Sequence, residues 1–192
     1  MSNLPSTADD ILRCARTLLV RGGYNGFSYA DIAAVVGIRK ASIHHHFPAK
    51  ADLVRAVVAQ YREEARQGLA NLEQAVADPR AQVEAYLGYW EACIADASHP
   101  FCVCALLATE MQLLPEAVAL EVRAHFRHLS GWLAAVLERG AAEDRFTLAG
   151  TAGDNAELFM AAVHGAMLSA RAYGEPAAFA TVSRSLLERI AV

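Results

Sequence analysis

Residues 28–50 read SYADIAAVVGIRKASIHHHFPAK, and their order decides the fold around them. Ser28 suits a helix N-cap, and Asp31 three residues on completes a capping box with Asp in place of Glu. Ile32, Ala33, Val35 and Val36 give the short helix its apolar side. Gly37 ends it, because the residue past a helix commonly takes a left-handed backbone that only glycine adopts cheaply. Ile38 plugs the turn, and a second helix is expected over about 39–45, roughly two turns. Ala41 is expected where the two helices cross, with Ile43 and Phe47 turned to the core. Two short helices around a glycine turn make a helix-turn-helix, whose second helix reads a DNA major groove.

That arrangement leaves Arg39, Lys40, Ser42, His44 and His45 facing outward. Arg and Lys donate to guanine edges or phosphates, and Ser and His do so more weakly. Arg39, Lys40, Ser42 and His45 are assigned to base or near-base contact. His44, Tyr24 and Lys50 are assigned to phosphate, Lys50 at the next helix N-terminus where free amides favour an anion. Ser28 belongs to the same candidate interface. The chain has only two lysines, Lys40 and Lys50, and both lie in this stretch. The plain alternative is an αα-corner with a solvated basic face.

With its flanks, the segment from Ile11 to Lys50 resembles the DNA-binding domain of the tetracycline repressor (TetR/AcrR) family. Ala15, Leu19, Gly23 and Tyr24 fall where the family has Ala, Leu and Gly-Tyr. Ser28, Ile32-Ala33, Gly37-Ile38, Ser42-Ile43, His46-Phe47 and Lys50 continue the pattern. Two positions depart from it: Arg39 stands where the family usually has Ser, and His44 where it has Tyr. The resemblance implies nine helices, a C-terminal body that binds a small molecule, and a homodimer.

Composition agrees with a DNA reader at one end. Residues 1–50 carry six Lys/Arg and three Asp/Glu, a charge of +3, whereas residues 51–192 carry 11 and 18, a charge of −7. A basic head on an acidic body confines nucleic acid to the head. Hydrophobic residues make up 55% of the chain, yet no apolar run reaches the ~18 residues of a membrane span. The start MSNLPSTADD lacks the pattern of a secretory signal, so a cytoplasmic location is expected.

Every long segment has helical rather than alternating periodicity, so the expected fold is all-α. Helices are expected over about 6–22, 50–77, 80–97, 101–112, 116–140, 152–173 and 176–190, besides the two of the motif. Asp78-Pro79, Ser98-His99-Pro100, Pro115, Gly140 and Gly174-Glu175-Pro176 are read as stops. The helix after Lys50 belongs to both expected domains: 1–50 for DNA, 51–192 for ligand and dimer.

Tyr86, Trp90, Phe101, Cys102, Leu106, Met111, Phe126 and His164 are candidates to line an apolar ligand pocket, as are Met160 and Met167. Ordinary core packing is the alternative for each. For the dimer surface, Ala162, Gly165, Ala166 and Ser169 form a stripe of small residues on one helix. Leu158, Val182, Leu186 and Ile190 supply apolar area beside it.

The four cysteines, Cys14, Cys93, Cys102 and Cys104, are not expected to form disulfides. Cys14 is expected in the first helix's core. Cys102-x-Cys104 lacks a second pair, so no zinc site is expected. One branch of the family that responds to electrophiles and oxidants has Cys at this helix start and Glu eight residues later, here Cys102 and Glu110. A thiol enzyme using Cys102 with His99 is a remote third possibility. His44, His45 and His46 splay around a helix and cannot converge on one ion. Glu121, His125 and His128 share a helix face, but too few ligands accompany them for a metal site. The sequence thus points to a ligand-responsive transcriptional repressor without cofactor. Its partners would be double-stranded operator DNA, a second copy of itself and an unknown apolar or reactive effector, and no membrane.

Overall fold

The computed structural model describes residues 7–96 and 101–191. Among these residues it is all-α, with nine helices and no strand: α1 Thr7–Gly22, α2 Tyr29–Val36, α3 Lys40–His46, α4 Lys50–Ala75, α5 Pro79–Ala95, α6 Val103–Ala108, α7 Glu116–Ala142, α8 Ala152–Tyr173 and α9 Ala177–Glu188. The expected stop at Ser98-His99-Pro100 lies outside the described residues, and His99 with it.

Several boundaries moved for local reasons. Helix α4 stops at Ala75, and Asp78-Pro79 opens α5 rather than closing α4. The Asp78 carboxylate accepts from Ala81 N at 2.9 Å, and Pro79 stands in the first turn, where its missing N–H costs nothing. The expected helix over 101–112 shortens to α6, and residues 109–112 form turns. Gly140 does not stop α7. Its role is space, since a Cβ there would collide with the Phe146 ring, which folds back against the helix.

By compactness the chain forms two units. The first comprises Met1–Glu64 and Val103–His125; the second comprises Ala65–Cys102 and Phe126–Val192. In the first, Ile11, Ala15 and Leu19 of α1 share its buried face at helical spacing, and Ile32 of α2, Ile43 of α3 and Leu53, Val54 and Val58 of α4 are fully buried as well. Helix α6 joins this unit against α1. Cys14, expected in this core, lies one position off the 11–15–19 line and is only half-buried.

The second unit is built mainly on α8 against α9 and α9 against α5. Phe159, Met167 and Phe179 are among its fully buried side chains. Buried Gln82 is satisfied at both ends: its amide donates to Val76 O at 2.6 Å and its oxygen accepts from Arg139 Nη2 at 2.7 Å. Thr147 N donates to Ile190 O at 2.7 Å, tying the loop after α7 to the end of α9.

Candidate nucleic-acid interface

The helix-turn-helix is built by its caps. Ser28 N donates to Asp31 Oδ2 at 2.7 Å, and Ser28 Oγ accepts from Ala30 N at 3.2 Å, so the capping box forms with Asp. The Ser28 hydroxyl holds Asp31 Oδ2 at 2.7 Å. This hydrogen bond, first among the causes, holds the Asp31 carboxyl below its ordinary range. Gly37 takes φ +75° and donates to Ala33 O at 3.0 Å, closing α2. Arg39 is the N-cap of α3 with no side-chain cap bond. Its guanidinium therefore has no duty in the local backbone.

Ile43 is fully buried and fixes which side of α3 faces the core. Residues two apart lie about 200° apart around a helix. Ala41 is accordingly exposed, opposite Ile43, and does not sit at the helix crossing. Ser42 is half-buried, while Arg39, Lys40, His44 and His45 are exposed. The face offered to solvent is thus Arg39, Lys40, Ala41, His44 and His45, with Ser42 at its edge. The methyl of Ala41 is the part of it that the sequence reading missed; counting from the buried Ile43 would have found it.

Three of the assigned phosphate ligands are partly engaged within the fold. His44 Nδ1 lies 3.2 Å from Pro48 O, a bond that puts the proton on Nδ1, and the ring meets Tyr29 edge-on at 4.7 Å between centroids. Lys50 donates its ammonium to Phe27 O and lies over the Phe27 ring at 4.2 Å and the Tyr24 ring at 5.1 Å. Burial pushes the Lys50 pKa down, against the opposing charges of Asp31 and Glu110, and burial pushes the half-buried Tyr24 phenol up. At the start of α4, Asp52 already accepts from Ala49 N at 3.1 Å. The corner between α3 and α4 is therefore occupied internally. Below it, Tyr29 donates to Phe47 O at 2.8 Å and ties α2 to the end of α3. Burial, then Asp52 and Tyr24, push its phenol up to about 12.

The candidate ligand residues divide between the units. Tyr86, Trp90, Phe101 and Cys102 are buried in the second unit. Tyr86 packs on Trp132 at 5.5 Å between ring centroids, and its phenol is pushed up by burial first and by Cys102 second. The Trp90 indole opposes that shift, yet among the described residues no donor stands in hydrogen-bond geometry to Tyr86 Oη, nor any acceptor to Trp132 Nε1. Phe126 and His164, both half-buried, form a separate pair at 5.2 Å. Leu106 and Met111 are half-buried in the first unit. Cys102 is 1% exposed and precedes α6 rather than beginning it. Glu121 is paired with Arg62 at 3.0 Å, and no cluster of metal-ligating side chains is found among the described residues.

Of the candidate dimer residues, Leu158 is 63% exposed and Gly165 and Val182 are exposed, while Ala162 and Ser169 are half-buried. Ala166, at 2%, and Leu186 turn into their own unit's core. The open face of α8 is instead Leu158, Ala161, Gly165, Leu168 and Ala172, at spacings of three, four, three and four. That is the seam spacing of helices packed side by side.

Comparison with known proteins places this geometry. The model of the family described as bacterial regulatory proteins, tetR family, matches residues 11–57. A transcriptional regulator of the TetR family from Agrobacterium tumefaciens is 68% identical over 96% of this chain and 97% of its own, with a TM-score of 0.95. A TetR transcriptional regulator from Legionella pneumophila is 26% identical over 98% of this chain and 100% of its own, with a TM-score of 0.89. The reduced form of NemR from E. coli shares the fold at 20% identity, over 97% and 98% of the two chains, with a TM-score of 0.84. No curated protein matches. Among the described residues no helix is long and apolar enough to cross a membrane.

Proposed function

The chain belongs to the TetR family of DNA-binding transcriptional regulators, and from that premise we propose that it is a homodimeric, effector-released repressor without enzymatic activity, acting in the cytoplasm. Residues 1–50 form the DNA-reading domain, residues 51–192 the effector and dimer domain, and α4 links them. The observation that carries the reading is the free face of α3. Arg39, whose side chain makes no cap bond, and Lys40 stand there exposed, beside exposed His45 and the Ala41 methyl.

In the proposed complex α3 lies in the major groove. Arg39 and Lys40 donate to base edges or to the flanking phosphates, and His45 and Ser42 contact the same edge. Ala41 offers a methyl to a thymine methyl. His44 Nε2 points the unused side of its ring at the backbone. Two copies joined along the open α8 face set two α3 helices about 34–36 Å apart, or a multiple of it, on a near-palindrome. A small apolar molecule among Tyr86, Trp90 and Trp132 favours a state in which that spacing is lost, and DNA dissociates.

Fluorescence anisotropy with DNA from upstream of the gene, a scrambled duplex and two salt concentrations tests this reading. Selective binding that weakens steeply with salt is expected. If a random-sequence selection yields no preferred duplex, the chain is not a sequence reader.

A further inference from the structure

Glu110 lies on the turn after α6, 86 residues from its partner, and accepts from the backbone N–H of Tyr24 at 2.7 Å. Tyr24 follows the last turn of α1 and leads by four residues to the N-cap of α2. Gly23 beside it has φ +72°, and a Cβ there would collide with Glu110 Oε1. Glycine is thus required twice at this position: by the left-handed backbone, and by the carboxylate seated on it. Gly23 N closes α1 on Leu19 O at 2.8 Å. On the other side of Tyr24 stands Lys50, whose ammonium holds Phe27 O, the carbonyl just before the α2 cap. The short segment that sets the entry of α2 is therefore held from both sides, by Glu110 at its start and Lys50 at its end.

We propose that Glu110 is a positioning residue for operator reading: its carboxylate, set over Gly23 and bonded to Tyr24 N, fixes the link between α1 and α2 and so the pose of α2 and α3. This rests on the proposed function above. Helix α1 packs on both α2 and α3, so a displaced link moves the reading face without touching a DNA-contacting side chain. A bonded carboxylate at a main-chain amide is a charge-assisted bond, stronger than a neutral one.

The test compares wild type, Glu110→Ala and Glu110→Gln by anisotropy on the selected operator and on a scrambled duplex. Glu110→Ala is expected to weaken operator binding about tenfold, the size of one charge-assisted bond, and to leave scrambled binding and the salt slope unchanged. Glu110→Gln keeps an acceptor oxygen and is expected within about threefold of wild type. Unchanged operator affinity in Glu110→Ala overturns the proposal. Equal losses on both duplexes overturn it too, because general destabilisation would act on both, and so does a Gln variant as weak as Ala. A wild type that selects no duplex instead removes the regulator reading, and the proposal falls with it. Thermal melts of Gly23→Ala with and without Glu110→Ala read the clamp without DNA. The glycine substitution is expected to cost less once the carboxylate is gone, and equal costs would show that Glu110 does not sit on Gly23.

Discussion

An exposed face of α3 and an exposed face of α8 are opposite in chemistry. The α3 face carries Arg39, Lys40, His44 and His45 around a single methyl at Ala41. The α8 face carries Leu158, Ala161, Gly165, Leu168 and Ala172, with the exposed carboxylates of Asp154 and Glu157 at its N-terminal end. A cationic face gains by releasing counterions from a polyanion, so its binding falls with salt. A face mainly of leucine and small residues gains by removing apolar area from water, which salt hardly weakens. The two proposed docking surfaces, one for DNA and one for a second copy, can thus be told apart by ionic strength alone.

The substitution that separates them most sharply is Gly165→Glu. A Cβ at Gly165 meets nothing within 4 Å, so the folded chain has room for it. A carboxylate there would be buried without a partner in a helix-to-helix seam. We expect sedimentation to show a folded monomer with native circular dichroism. Operator affinity should fall at least about 100-fold, because one half-site no longer raises the effective concentration of the other. A variant that still sediments as a dimer would place the dimer surface elsewhere.

Arg39→Ala comes next. Loss of a guanidinium that reads a base edge costs about 1–3 kcal/mol per half-site and relaxes the preference at that base. The dimer should stay intact. If affinity falls alike on every duplex and the salt slope drops by about one per half-site, Arg39 is a phosphate ligand instead.

These two faces were not equally legible in the sequence. The α2–α3 corner was readable because each of its residues answers a local demand: Ser28 and Asp31 as caps, Gly37 at φ +75°, Ile43 as the buried reference. The error at Ala41 came from treating a small residue as a crossing point, when its angle from Ile43 put it outside. The internal bond of Lys50 was hidden for a different reason, since the carbonyl that takes its ammonium belongs to Phe27, 23 residues earlier. On α8 the small residues were found, but Ala166 was placed on the open face and Leu168, 58% exposed, was not. Counting in threes and fours from Leu158 reaches both Ala166 and Leu168, so the packing of α8 on α9 decides between them. Glu110 on Tyr24 N had no local signal at all, because only the folded packing of α6 on α1 brings them together.

Lys50→Ala sharpens the same contrast from inside the motif. A phosphate ligand would lower the salt slope by about one when removed. An ammonium spent on Phe27 O should leave the slope unchanged and lower the stability of the three-helix region by about 1–2 kcal/mol. Urea unfolding and anisotropy at two salts decide between them.

The smallest effect expected is that of Tyr29→Phe, and pH makes it specific. The Tyr29 hydroxyl bond to Phe47 O should contribute about 1 kcal/mol at neutral pH. Its phenol ionises at about 12 in the fold, against an ordinary value near 10.0. The folded state therefore prefers the neutral phenol. Its stabilisation is complete below pH 10 and is lost as pH climbs from about 10 to about 12. A phenylalanine cannot ionise, so the variant escapes this loss. Tyr86, also pushed up by burial, weakens both proteins alike and cancels in the difference, whereas the charge of Tyr24 is part of what raises Tyr29 and goes with it. The gap in urea midpoint between wild type and Tyr29→Phe should favour wild type at pH 8, then close and reverse by pH 11. A gap that stays constant with pH would mean that the Tyr29 phenol ionises alike in the folded and unfolded chain, whereas no gap at any pH would mean that the tie from α2 to the end of α3 lies in the His44–Tyr29 ring contact, which phenylalanine keeps, rather than in the hydroxyl.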